Sequence, residues 1–252
     1  MVIHVHNRSI SLSSTEESIY VDNFNMQREK TLMVDTRNID QIRKTKLTQE
    51  EFKHRKRDIL DGVDLSRKGC IDDPIQGLVQ FINEESEFVT TSSCSGRVIL
   101  FCEDISNSNS KKGCKWLYTN HENVKEDDIF NSIDPKEGNN ILKYEPLILH
   151  VQCRTLESAK LMHTCALESG FRNSGITLGK HGKIILAVRS CLGLEVPLTE
   201  DGNVLVSKEY VTFLTRKANE KIEENKVRTQ RFFLNLRSAL SNKEQGINSG
   251  RK

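Results

Sequence analysis

A run of small hydroxyl and thiol side chains, Thr90 to Ser95, leads directly into Gly96, Arg97 and the apolar stretch Val98-Ile99-Leu100-Phe101. Small side chains let a ligand come close to the backbone. Gly96 permits a turn with positive φ, and successive N–H groups in such a turn form an anion-binding concavity. Arg97 adds a planar fork suited to a carboxylate or phosphate. The segment reads as a loop ahead of a strand, with Ser92, Ser93, Cys94, Gly96 and Arg97 as its ligand-facing candidates. His121, at the end of Trp116-Leu117-Tyr118-Thr119-Asn120-His121, is a candidate base or ligand. His150 lies in Leu149-His150-Val151-Gln152-Cys153-Arg154, where alternation sends Leu149, Val151 and Cys153 to one sheet face and His150, Gln152 and Arg154 to the other. Arg67 and Lys68, in the charged segment Asp64 to Asp72, offer cations to phosphates.

These residues need elements to hold them. Thr48 with Glu51 forms a capping box for a helix over residues 48–62 with Phe52, Ile59 and Leu60 as its apolar face. Asp73 at N-cap and Pro74 at the first helical position open a second helix, buried through Ile75, Leu78, Val79 and Ile82 and ending near Glu87. Strands follow at Arg97 to Glu103 and Trp116 to His121, then a short helix from Val124 to Ile133. The longest strand pattern is Ile141 to Arg154. Thr155 caps a helix that stops at Gly170. A hairpin spans residues 176–190 and a short strand spans Leu194 to Leu198. A long helix follows, from Ser207 to about Ser241, with Tyr210, Leu214, Ala218, Ile222, Phe232, Phe233, Leu236 and Leu240 on its apolar side. The order is helix, helix, strand, strand, helix, strand, helix, hairpin, strand, long helix. It lacks the regular alternation of a doubly wound sheet and predicts a single α+β domain with a mixed β-sheet. Residues 48–241 form that domain, 1–47 read as a disordered extension and 242–252 as a flexible tail.

Several function classes are disfavoured. The formal charge of +2 over 252 residues marks neither a strongly basic nor a strongly acidic protein. The charge is uneven, with nine basic against five acidic residues in 41–70 and eleven against five in 205–252. Basic ends around a neutral middle suit a polyanion. The seven cysteines are scattered without CxxC or zinc spacing, which points to a reducing compartment, the cytoplasm. No signal peptide or membrane-spanning run is visible. No GxGxxG, P-loop, HExxH or GxSxG motif is present. Cys94 and Arg97 stand too close together for a phosphatase loop.

Five motifs occur in one order: Asp64-Leu65-Ser66-Arg67-Lys68-Gly69, Thr91-Ser92-Ser93-Cys94-Ser95-Gly96-Arg97, Leu149 to Arg154, Ser169 to Thr177, and Ala187-Val188-Arg189-Ser190 with Glu195-Val196-Pro197-Leu198. Together they resemble the wybutosine-synthesising protein 3 family over residues 50–240. Cys70 departs from the Ser or Thr expected there. The resemblance implies an S-adenosylmethionine-dependent tRNA methyltransferase whose fold is not the Rossmann-like one. Its substrate would be the tricyclic 4-demethylwyosine-type base beside the anticodon of phenylalanine tRNA, methylated at N(4). On residue type and motif membership, Ser92, Ser93, Cys94, Gly96 and Arg97 are the candidates for the cofactor's carboxylate, His150, His121 and Asp64 for the base, and Arg67, Lys68, Arg172 and Asn173 for RNA contacts. Other enzymes of the same pathway are implied as further partners. The competing class is a non-catalytic tRNA-binding protein of the same fold, which would bind tRNA without the cofactor.

Overall fold

The computed structural model describes residues 47–62, 69–103 and 114–249. Asp64, Arg67, Lys68 and the extension up to residue 46 lie outside them. The expected order of elements is found: α1 (Gln49–Leu60), a 3₁₀ turn (Asp73–Ile75) leading into α2 (Gln76–Glu84), β1 (Phe88–Glu103), β2 (Lys115–Asn120), α3 (Glu126–Asn131), β3 (Asn139–Cys153), α4 (Leu156–Glu168), β4 (Gly175–Leu178), β5 (Ile184–Arg189), β6 (Leu194–Pro197), the short pair β7 (Thr199–Glu200) and β8 (Asn203–Val204), and α5 (Lys208–Ser249). Helix α5 runs eight residues past the expected Ser241. The α1 capping box is present, with the Glu51 N–H donating to Thr48 Oγ1 and the Thr48 N–H donating to the Glu51 carboxylate. Of its expected face only Phe52 is buried.

The main sheet has the order β2-β1-β3-β5-β4, with β6 beside the N-terminal half of β3. Every pairing among the described strands is antiparallel, which corrects the expected mixed sheet. The reason lies in where the returning strands insert. The crossovers β2–α3–β3 and β3–α4–β4 each join strands of the same sense, as a helical connection favours. Strand β1 sits inside the first pair and β5 inside the second, so every neighbour runs the opposite way.

The Thr/Ser/Cys run is not a loop. Residues Phe88 to Glu103 form one 16-residue strand paired along β3 from Phe88↔Cys153 to Glu103↔Asn139, with a bulge at Thr91. Thr, Val, Ile and Phe at either end favour the pleat, and pairing on β3 overrides the turn signal of the small residues.

Strands β1 and β3 are irregular at one shared place. Gly96, at φ +107°, lies opposite Pro146, which has no N–H to give. The adjoining Ser95–Leu147 bridge is missing, and the Asn225 side chain from α5 replaces it. The Leu147 N–H donates to Asn225 Oδ1 at 2.9 Å, and Asn225 Nδ2 donates to the Ser95 carbonyl at 2.8 Å. Across this seam the strand faces exchange. Leu142 and Tyr144 enter one core with Val98, Leu100 and Ile129, whereas Leu147, Leu149 and Val151 enter another with Ile82, Met162 and Leu186. Helix α5, about 63 Å long at 1.5 Å per residue, closes both cores. Val211, Leu214, Ala218 and Ile222 serve the first and Phe232, Leu236 and Leu240 the second, with buried Asn225 and Thr229 between them on the same stripe. Val211 takes the place expected of Tyr210, which is 44% exposed. Asn225→Ala leaves two buried backbone groups unpaired. It is expected to cost about 3 kcal/mol, seen as a fall of roughly 10 °C in the unfolding midpoint.

Candidate active site

Strand β2 stops at Asn120, opposite Val98, so the outer edge of β1 is open from there towards Ser95. The segment before α2 fills that edge. Asp72 occupies the N-cap position expected of Asp73, but its carboxylate does not cap the helix. Asp72 Oδ2 instead accepts the Ser95 N–H at 2.8 Å and the Ser95 hydroxyl at 3.1 Å. His121, the first residue after β2, brings Nδ1 to 3.4 Å from the same Oδ2 and 3.5 Å from Ser95 Oγ. Cys94 Sγ lies in the same group, with the His121 and Asp72 ligand atoms all within 4.8 Å of one another. Burial pushes the Cys94 thiol above its ordinary value, so it is not an activated nucleophile. Ser95 and His121 border a shallow cleft whose other wall is Tyr144, Ile222 and Lys226, with Asp72 beneath it. The Tyr144 hydroxyl donates to the Lys221 carbonyl, and burial raises its pKa.

A second polar group lies on β1, β3 and β5. Ser92 Oγ is 2.8 Å from His150 Nδ1, and Arg189 Nη2 is 3.1 Å from His150 Nε2. A guanidinium only donates, so Nε2 accepts and the ring proton sits on Nδ1, facing Ser92. Burial, and then Arg189, lower the His150 pKa. Because the folded ring resists protonation, the stability tied to it is present above the unfolded value near 6.5 and is lost as pH falls below it. The wild type should therefore lose more thermal stability than His150→Gln between pH 7.5 and 5.5, and the imidazole NMR titration midpoint should lie below 6.5. Gln152, two residues along the same face and 1% exposed, leaves Nε2 with no hydrogen-bond partner. The third member of the expected polar row departs from it: Arg154 follows the end of β3 and pairs with Glu87 at 2.6 Å.

The other candidates separate. Arg97 is bound through Nε and Nη2 to Glu145 Oε2, at 3.0 and 2.9 Å, and lies 4.6 Å above the Trp116 ring. Gly96 packs against the β3 backbone and Asn225 and offers no open cradle. Ser93 is half-buried opposite Leu149. The extended backbone of β1 forms no nest of consecutive N–H groups, so the expected anion loop is corrected on this point. Arg172 and Asn173 are exposed on the turn between α4 and β4. Ser174 ties that turn to β5 by accepting the Arg189 N–H at 3.1 Å. Sequence reasoning missed Asp72 and Asn225. An Asp before Asp-Pro reads as helix punctuation, and a lone Asn on a polar helix reads as solvated.

An antiparallel α+β sheet crossed by one long helix, with an Asp–Ser–His cluster at an open strand edge, defines a class apart from Rossmann-like enzymes. The solved PH1069 protein from Pyrococcus horikoshii shares the architecture, with a TM-score of 0.67 and 30% identity over 75% of this chain and 97% of that one. Residues 54–238 match the family model described as Methyltransferase TYW3. The tRNA wybutosine-synthesizing protein 3 homolog of Xenopus laevis is 50% identical over 197 residues, 78% of each chain. The Homo sapiens homolog is 48% identical over 75% of this chain and 74% of its own. The Schizosaccharomyces pombe tRNA wybutosine-synthesizing protein 3 is 36% identical over 69% and 81%. The chain belongs to this family of tRNA methyltransferases of wybutosine synthesis.

Proposed function

We propose that this chain transfers a methyl group from S-adenosylmethionine to N(4) of the tricyclic guanosine derivative beside the anticodon of phenylalanine tRNA, in the cytoplasm. The observation that carries the reading is the meeting of Asp72, Ser95 and His121 at one cleft in a chain of this family. Seven unpaired cysteines suit a reducing compartment.

The donor set on the β1–β3–β5 face suits the cofactor. The Arg189 guanidinium and the Ser92 hydroxyl fit a carboxylate or a ribose, and the buried Gln152 Nε2 lacks an acceptor. These three residues would hold the cofactor, with His150 keeping Ser92 and Arg189 in place. When bound, S-adenosylmethionine supplies an electrophilic methyl carbon. The rest falls to the chain. The accepting nitrogen must lose a proton, and His121 is positioned to take it. Nδ1 is held by Asp72 and Ser95, which leaves Nε2 as the basic nitrogen in the cleft. Asp72 offsets the charge that the ring acquires. His150 is the weaker base, because its lone pair already accepts from Arg189. Arg172 and Asn173, with Arg67 and Lys68, are assigned to phosphates and splayed bases of the anticodon loop.

The test is incubation with methyl-labelled S-adenosylmethionine and phenylalanine tRNA carrying the undermethylated tricycle, followed by nucleoside analysis. Label at N(4) is expected. Tight tRNA binding with no transfer would instead identify a non-catalytic tRNA-binding protein.

A further inference from the structure

Asp72, Cys94 and His121 reach one point from three separate elements: the segment before α2, the middle of β1, and the end of β2. Each presents one ligand atom, and the three atoms lie within 4.8 Å of one another. The Asp72 Oδ2–His121 Nδ1 separation is 3.4 Å. Tetrahedral zinc, with Zn–N near 2.0 Å and Zn–S near 2.3 Å, has ligand edges of roughly 3.3–3.7 Å, so the Asp72–His121 edge is already in place and Cys94 Sγ stands within 4.8 Å of both ligand atoms. Carboxylate, imidazole and thiolate together suit a borderline-soft ion and are a poor set for magnesium or calcium. The Ser95 N–H on Asp72 Oδ2 is the kind of outer contact that fixes a metal-binding carboxylate, and the Ser95 hydroxyl has the Gly96 carbonyl as a second acceptor to turn to, which frees the other lone pair of Oδ2. Three protein ligands beside a solvent-open cleft leave a fourth position for water.

We propose that Asp72, Cys94 and His121 form a binding site for zinc or a similar divalent transition metal, and that loading it switches the enzyme off. Binding displaces the Cys94 proton to solvent as the thiolate takes the metal, so affinity rises with pH. Coordination through Nδ1 leaves the imidazole proton on Nε2, the nitrogen that otherwise accepts one. The binding claim stands alone. The inhibition claim rests on His121 being the base.

The full-length chain, stripped of metal, is titrated with Co²⁺ and then with Zn²⁺. One equivalent of Co²⁺ is expected to give tetrahedral visible bands and a thiolate-to-cobalt charge-transfer band, both erased by one equivalent of Zn²⁺. Cys94→Ser and His121→Ala should each weaken binding at least tenfold, with circular dichroism unchanged. The Cys70→Ser/Cys191→Ser double variant, which removes two exposed thiols, should bind as the wild type does. In case Cys94→Ser does not fold, zinc protection of Cys94 from alkylation in the wild type, read by peptide mass spectrometry, gives the same answer. Absence of a thiolate band, a band that survives Cys94→Ser, or unprotected Cys94 would overturn the site. In the transfer assay, zinc should inhibit and a chelator should restore activity. Stoichiometric binding without inhibition would keep the site but overturn the switch and the assignment of His121 as base.

Discussion

Asp72→Asn is expected to slow methyl transfer by roughly 10²- to 10³-fold, the usual range for losing a positioned acid–base group. Asparagine keeps the shape of the side chain, and its carbonyl still accepts the Ser95 N–H, so the edge of β1 stays satisfied. The lost feature is the carboxylate 3.4 Å from His121 Nδ1, which aligns the ring and accepts from it. The effect belongs in kcat, with KM for tRNA little changed, because Asp72 is buried beneath the cleft and acts through His121. The unfolding midpoint should move by only a few degrees. A proportionate rise in KM, or an unfolded variant, would mean that Asp72 serves the fold rather than the reaction. Asp72→Ala is the contrast: it also strips the acceptor from two buried donors and should cost about 2 kcal/mol in addition.

Gly96→Ala should have the largest effect on stability, a loss of about 4 kcal/mol from overpacking and backbone strain together. A Cβ at Gly96 would stand 3.0 Å from the Glu145 carbonyl oxygen, 3.2 Å from the Pro146 carbonyl carbon and 3.3 Å from Asn225 Nδ2. The first two are backbone atoms of the central strand and cannot swing aside. The φ of +107° adds strain of its own. The damage would also reach the cleft, since Ser95 and Asn225 are fixed by the same seam. Gly170→Ala is the control. Its φ is +97°, but the new Cβ meets only the Arg228 side chain, which can move. Denaturant unfolding should show the Gly96 variant to be markedly the weaker of the two. Equal losses would mean that backbone contact at the seam is not what requires glycine.

Much of the architecture is legible in local chemistry. Thr48 and Glu51, Thr155 and the i, i+3, i+4 stripe of α5 each act within a few residues, and their elements form where expected. The motif-bearing histidines and serines could be named for the same reason, because residue type limits chemistry before any folding. The reading failed where the outcome depends on a distant partner. Ser92 to Gly96 carry turn-forming side chains, yet fourteen pairings along β3 make them strand. Arg97 looks like an anion fork, but Glu145, 48 residues away, already fills it.

The sequence by itself determined the order of the elements, the Thr48 and Thr155 caps, the family and the residue types able to move a proton. Only the tertiary structure decided that all described strand neighbours are antiparallel, that Asn225 stands in for a missing ladder bond, and that Asp72 supports His121. The physical reason is range. Capping, periodicity and turn preference are written in contacts of one to four residues. The Asp72–Ser95–His121 cluster and the Asn225 bridge join positions 23 to 130 residues apart, and their meeting is fixed by how the sheet packs beneath one helix.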